Sequence, residues 1–214
     1  MVNRRGEFLV DILFPKFCVA CRREGEWLCF QCLQLELDMP QTRGFSVMPG
    51  AGLDSLIFLS EYGNNPISEL ARLLKYQFAI DTLSDLENII RKKISSFDLA
   101  EYVLVPVPLH PRRYRERGFN QAEAIANVCS RVCGAPVAHM LHRNIYTKQQ
   151  AKLSGLERVQ NTKGAFRFED IGKAPEKVIL VDDIFTTGST MGECALVLRG
   201  AGVREVRGLV LAKG

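Results

Sequence analysis

Lys177-Val178-Ile179-Leu180-Val181-Asp182-Asp183-Ile184-Phe185-Thr186-Thr187-Gly188-Ser189-Thr190-Met191 decides the fold. Val178–Val181 is a short apolar run rich in β-branched residues, as expected of a strand buried on both faces of a parallel sheet. Two adjacent carboxylates follow, then four hydroxyls within five residues around Gly188, then the start of a helical pattern. In an open parallel sheet, ligands bind at the carboxyl ends of strands, so the segment reads as strand end, binding loop and helix start. Gly188 carries no Cβ to hold a ligand off the backbone amides, and a helix N-terminus favours an anion. Thr186, Thr187, Gly188, Ser189 and Thr190 therefore form a candidate phosphate cup. Asp182 and Asp183 are acceptors suited to vicinal hydroxyls, or to Mg2+ held partly through water. A bare strand end followed by a Ser/Thr helix cap would not call for paired acids.

Working outward, strands alternate with helices. Leu56–Leu59 reads as a strand, and Pro66 opens a helix with Ile67, Leu70, Leu73 and Leu74 at helical spacing. A second helix runs through Leu83, Leu86, Ile89, Ile90 and Ile94. Val103–Pro108 is a short buried strand ending in prolines. Asn120 or Gln121 starts a helix with Ala122, Ile125, Ala126, Cys129 and Val132 on one face, closed by Gly134. Val137–Leu141 and Glu205–Leu211 read as further strands. This order implies an α/β fold with an open, mostly parallel, doubly wound sheet flanked by helices. The polar stretch 144–164 is too long for a simple connection and reads as a functional loop or hairpin. Turn-rich sequence at 39–44 and 49–52 separates a small module, 1–50, from the main domain, 51–214.

That module carries Cys18, Cys21, Cys29 and Cys32 as two C-x-x-C pairs separated by seven residues. Each pair offers two thiolates from one tight turn, and two such turns complete a tetrahedral Zn2+ site. Trp27 and Phe30 are expected to pack around a module that depends on its metal for stability. Cys129, Cys133 and Cys194 read as small core hydrophobes.

The 214 residues are 47% hydrophobic and 24% charged, which excludes wholesale disorder. The longest apolar stretches, such as 103–109, fall short of the roughly 18 residues of a membrane span. Glu7 and Asp11 interrupt any signal-peptide core around Phe8, Leu9 and Val10. The expectation is a cytoplasmic protein without membrane insertion. Net charge is only +4, but its distribution is uneven. Arg112, Arg113, Arg115 and Arg117 face Glu116 alone within 110–120; Arg143, Lys148, Lys152, Arg158, Lys163 and Arg167 face Glu157 alone within 143–167. Such clusters suit phosphate contact, although charge clusters are more often solvated faces.

The 178–190 stretch resembles the phosphoribosyl pyrophosphate (PRPP) fingerprint of type I phosphoribosyltransferases. Val105-Pro106-Val107-Pro108-Leu109-His110-Pro111-Arg112-Arg113-Tyr114-Arg115-Glu116-Arg117-Gly118-Phe119-Asn120-Gln121 resembles the competence protein F (ComF) family within that superfamily. So do Thr147, Gln149 or Gln150, Leu153, Arg158, Asn161 and Gly164-Ala165-Phe166, together with the four-cysteine cluster. The resemblance covers nearly the whole chain. It implies that Asp182 and Asp183 bind the ribose hydroxyls and that 186–190 holds the 5′-phosphate. It also makes Leu109, His110, Arg112 and Arg113 a pyrophosphate loop, and places Lys148 and Arg158 on a mobile loop covering the site.

Two readings follow. One is a phosphoribosyltransferase that displaces pyrophosphate from PRPP, with Mg2+, onto a nitrogen acceptor that the sequence does not name. The other is a non-catalytic competence module that binds PRPP or a nucleotide and contacts a competence helicase or single-stranded DNA. Aromatic content is only 8%, and no basic-aromatic ladder for stacking bases is visible.

Overall fold

A computed structural model describes residues 15–38, 44–48, 52–76, 81–145, 163–169 and 172–214. The main sheet has five strands, in the order β1 (Gly44–Met48), β2 (Leu53–Glu61), β7 (Glu205–Lys213), β6 (Lys177–Phe185) and β3 (Val103–Pro106). All neighbours pair in parallel except β1, which runs antiparallel to β2. Six helices accompany the sheet among the described residues: α1 (Phe30–Asp38), α2 (Pro66–Tyr76), α3 (Thr82–Ile94), α4 (Pro111–Arg117), α5 (Gln121–Cys133) and α6 (Ser189–Gly200). A separate antiparallel ribbon joins β4 (Leu141–Arg143) to β5 (Phe166–Phe168). The chain is thus α/β, with a mostly parallel sheet flanked by helices. No helix among the described residues is long and apolar enough to cross a membrane.

The apolar strands divide into two cores because successive side chains leave a strand on opposite faces. Ile57, Leu59, Ile179, Val181, Leu209 and Leu211 pack on one face with Ile67 and Leu70 of α2, Ile89 of α3 and Ile125 of α5. Leu56, Phe58, Val178, Leu180, Val206 and Val210 pack on the other with Met191, Cys194 and Leu198 of α6. All of these strand side chains are buried, which is why the strands read as continuous apolar runs. The expected start of α5 is a side-chain cap: the Asn120 Oδ1 accepts from the Ala122 amide at 3.1 Å. Its other end closes as expected, with the Gly134 amide donating to the Ser130 carbonyl at 2.8 Å.

Two elements near the ribbon and the arginine-rich stretch differ from expectation. Strand formation is not found over 137–140; Val137 makes a single parallel bridge to Leu104, and the strand is Leu141–Arg143 in the ribbon. Pro136 accepts from the Leu104 amide at 2.8 Å but has no N–H of its own to extend that ladder. The other difference is α4, where the sequence suggested only a turn. Pro111 sits at its first position, the His110 side chain caps it, and Gly118 at φ 79° closes it. Its arginine-rich sequence carries no apolar stripe to reveal the helix.

The cysteine module packs into the body of the protein. Cys18, Leu28 and Cys29 are buried in the same core as Ile89 and Leu70, with Trp27 packed against it. Phe30, expected to join Trp27, is instead 71% exposed on α1. The expected boundary at 50/51 lies outside the described residues. One polar contact lies inside this junction. Lys93 of α3 and Glu36 of α1 are both almost fully buried and pair at 3.1 Å, while the Lys93 Nζ also donates to the Leu59 carbonyl of β2 at 3.2 Å. A single ammonium thus ties module, helix and sheet together. Lys16 and Asp81 add a more exposed pair at 2.6 Å. Removing one member of the buried pair leaves an uncompensated charge, at a cost of about 3–5 kcal/mol. Glu36→Ala should lower the urea midpoint accordingly, whereas Glu36→Gln with Lys93→Met should recover much of the loss. Equal stability of Glu36→Ala and the wild type would contradict this account.

Candidate functional site

The carboxyl edge of the sheet opens into a cleft that is continuous with solvent. One wall is the segment picked out by the sequence. Asp182, Asp183, Thr186, Thr187, Gly188, Ser189 and Thr190 all line it. β6, however, runs four residues past Val181, pairing Asp182 with Val210 and Ile184 with Ala212 of β7. The two carboxylates therefore belong to the strand and not to the loop after it. Each is steadied by the next amide: Asp183 N donates to Asp182 Oδ1 at 2.9 Å, and Ile184 N to Asp183 Oδ1 at 2.8 Å.

Gly188 sits at φ 74°, and a Cβ built there would lie 2.5 Å from the Phe185 ring. Glycine is thus demanded first by the fold, because the buried Phe185 closes against the turn. The open approach to the amides, for which the sequence favoured it, is a consequence. Gly188 makes no side-chain cap at the α6 N-terminus, an end that favours an anion, and the Ser189 amide donates to the Thr187 Oγ1 at 3.5 Å. Nearby, the Thr187 and Ser189 hydroxyls lie 2.7 Å apart.

The opposite wall comes from the segment after β3 and from α4. Of the four residues expected in the pyrophosphate loop, Leu109 and Arg113 line the cleft, whereas His110 and Arg112 are not among its lining residues. His110 Nδ1 accepts from the Arg112 amide at 3.1 Å, and the Arg112 Nε donates to Glu116 at 3.1 Å. Helical spacing explains the split, since Arg113 and Arg117 share one face and Arg112 and Glu116 another. Arg117 donates to the Gln121 Oε1 at 2.9 Å. Asn120 holds this wall to the sheet by donating to the Val107 carbonyl at 3.1 Å. Lys148 and Arg158, expected on the covering loop, lie outside the described residues. The ribbon holds the two ends of that stretch together, with the Asn144 amide donating to the Ala165 carbonyl at 3.0 Å.

Among the cations that line the cleft, Lys75 escaped the sequence reading altogether, while Arg117 and Arg143 were read only as members of basic clusters suited to phosphate contact. Lys75 reaches from the end of α2 to Asp183 Oδ2 at 3.4 Å, and Asp183 is only 6% exposed. Burial, reinforced by the neighbouring Asp183 charge, pushes the Asp182 carboxyl from its ordinary 3.8 up to about 7. Lys75 opposes that rise. No sequence motif linked these cations to the aspartates, because they lie on α2, α4 and β4, far apart in the chain.

Away from the cleft, the Cys18, Cys21, Cys29 and Cys32 sulfurs all lie within 4.8 Å of one another. Zn–S bonds of about 2.3 Å in a tetrahedron place sulfurs about 3.8 Å apart, so the cluster can hold a metal ion. Cys18 N donates to the Arg23 carbonyl and Arg22 N to the Cys18 carbonyl, forming a tight knuckle with Arg22 at φ 64°. Burial raises the Cys18 thiol pKa, but the amides of Cys21, Cys29 and Ala20 outweigh it and bring it down to about 6. Burial and the crowded neighbouring thiols push Cys32 up to about 12. Four thiols at this separation share too little positive charge to ionise together, and a divalent cation supplies it.

No family model matches the chain. It is 35% identical to competence protein F of Haemophilus influenzae, over 94% of this chain and 85% of that protein. It is 29% identical to the DNA utilization protein YhgH of Escherichia coli, over 89% of this chain and 86% of that one. It is 28% identical to competence protein ComFC of Streptococcus pneumoniae, over 60% of this chain and 59% of that one.

The raised Asp182 carboxyl gives the ligand-free protein a pH signature. The folded state keeps a proton on Asp182 that the unfolded chain releases near its ordinary value of 3.8. The stability contribution therefore falls as pH rises from about 4 to about 7, and is level above that. Asp182→Asn should raise the urea midpoint at pH 8, with the advantage shrinking toward pH 4. A pH-independent difference, or a loss at pH 8, would contradict the burial of this carboxylate.

Proposed function

The chain belongs to the competence protein F family, and we propose that its cleft binds PRPP with magnesium on a type I phosphoribosyltransferase-like fold. The observation that carries the reading is one loop, Thr186–Thr190, which offers hydroxyls and helix-end amides directly after two carboxylates at a strand end. The amides and hydroxyls suit a 5′-phosphate. The carboxylates suit ribose hydroxyls, and Arg113 suits the diphosphate, which Mg2+ would accompany and partly neutralise. In the proposed reaction a nitrogen nucleophile attacks C1 of the ribose and pyrophosphate departs with the bonding electrons. Arginines facing the leaving group stabilise the charge that develops there. The names of the relatives point to a role in natural competence and DNA utilisation for this chain too. The cysteine module, within 1–50, is assigned a structural zinc, and 51–214 the ligand site.

Calorimetry with PRPP and Mg2+ tests the cleft. Asp182→Asn with Asp183→Asn, and separately Ser189→Ala, should each weaken binding about tenfold or more, as the loss of charge-assisted contacts would. Substitution at Gly188 would be a poor probe, because its Cβ would collide with Phe185. Wild-type protein that ignores PRPP would overturn the site assignment. PRPP binding without pyrophosphate release across a panel of bases and amines would select the non-catalytic competence module instead.

Metal analysis of the purified protein should find about one zinc per chain, and a chelator should lower its melting temperature. Protein free of zinc, with Cys18–Cys21 or Cys29–Cys32 oxidised to a disulfide, would refute the structural zinc.

A further inference from the structure

Arg143 closes β4 and is only 7% exposed, yet it lines the same cleft as Asp182 and Arg113. Its guanidinium carbon stands 5.2 Å from the ring centre of Phe166, its cross-strand partner in the ribbon. That contact holds the guanidinium over the ring before any ligand arrives. Burial, with the Arg113 charge beside it, lowers the Arg143 pKa, while Cys194 and Asp182 act in the opposite direction.

The layering of the sheet explains the arrangement. Side chains alternate along β6, so Asp183 lies on the Val181 side, toward α2, and Asp182 on the Leu180 side, toward α6 and the ribbon. Lys75 pairs with Asp183 on one side, while on the other Arg143 lines the cleft together with Asp182 and feels its charge. The balance differs between the two sides. Asp182 is held toward its neutral form by burial, while Arg113 adds a second guanidinium near Arg143. Two guanidiniums on one wall of the cleft suit a polyanion, because each can give charge-assisted hydrogen bonds to phosphoryl oxygens. The hydroxyl loop at α6 already provides for one phosphate, so a second anionic group is what this side of the cleft can take.

We propose that Arg143 is a binding residue for the diphosphate part of the ligand, acting with Arg113 as a paired guanidinium clamp. The assignment rests on reading the cleft as a phosphoribosyl diphosphate site, and it adds a selectivity that the hydroxyl loop alone lacks. A ligand with only the 5′-phosphate engages the loop; one that also carries a diphosphate engages the clamp. Arginine is needed and lysine is not equivalent, because the planar fork both lies over Phe166 and offers parallel donors to phosphoryl oxygens.

The test is calorimetry on the full chain with three ligands, namely magnesium pyrophosphate, magnesium PRPP and ribose 5-phosphate. Wild type, Arg143→Met and Arg143→Lys are compared, with melting temperature and metal content as folding controls. Arg143→Met should weaken pyrophosphate and PRPP about tenfold or more and leave ribose 5-phosphate within about threefold. Arg143→Lys should recover only part of the loss. Should Arg143→Met not fold, the Lys variant carries the test: weaker pyrophosphate and PRPP binding with ribose 5-phosphate unaltered supports the clamp, and unaltered binding of all three overturns it. Equal weakening of all three ligands, or no change in any, would also overturn it. Wild type that binds pyrophosphate through Arg143 but ignores PRPP and ribose 5-phosphate would keep the clamp and sink the phosphoribosyl reading. Wild type that binds ribose 5-phosphate but neither diphosphate would do the reverse.

Discussion

The structure turns on two adjacent carboxylates at the end of a buried strand. Had β6 stopped at Val181, Asp182 and Asp183 would lie in a solvated loop and their charges would matter little. Because β6 continues to Phe185, strand alternation sends them to opposite layers of the protein, each partly out of water. Charge in such a place has to be compensated locally or given up. Lys75 compensates Asp183, and Asp182 is shifted toward its protonated form. The cations of the cleft are placed around this constraint, drawn from α2, α4 and the ribbon.

The same requirement governs the far side of the protein. Lys93 and Glu36 are buried where the cysteine module meets α3, and the second hydrogen bond of Lys93, to Leu59, carries that junction into the sheet. The module thus shares the apolar core of the protein through Cys18, Leu28 and Cys29. Its thiols are packed closely enough that binding a metal relieves a conflict among them while holding the knuckle together. A metal held by these thiols would add to the support that the buried ion pair gives the junction.

Elements with one strong period were legible. β6 and β3 showed as short apolar runs, and α2, α3 and α5 as apolar stripes with a proline, a cap or a closing glycine. α4 was missed because its arginines leave no stripe, although Pro111 and Gly118 mark its ends. β1 was missed because it lies between turn-rich stretches at an edge of the sheet. The ribbon was misplaced because its strands are three residues each and their partners lie more than twenty residues apart in the chain. In the site, the hydroxyl loop and the aspartates are contiguous and were found together. His110 and Arg112, placed in the same loop by the family resemblance, are not among the residues lining the cleft.

The sequence by itself determined the α/β layering, the four-thiol cluster and the loop that follows the paired aspartates, since each is written in local pattern or short spacing. Only the tertiary structure decided which cations meet the carboxylates in the cleft. Lys75 and Arg143 come from opposite layers and lie about seventy residues apart in the chain, brought to one cleft by the stacking of helix and ribbon on the two faces of β6. Why Gly188 must be glycine was also settled there, because its neighbour Phe185 is buried against it. Charge compensation and close packing act through space, and neither has a period that a sequence can display.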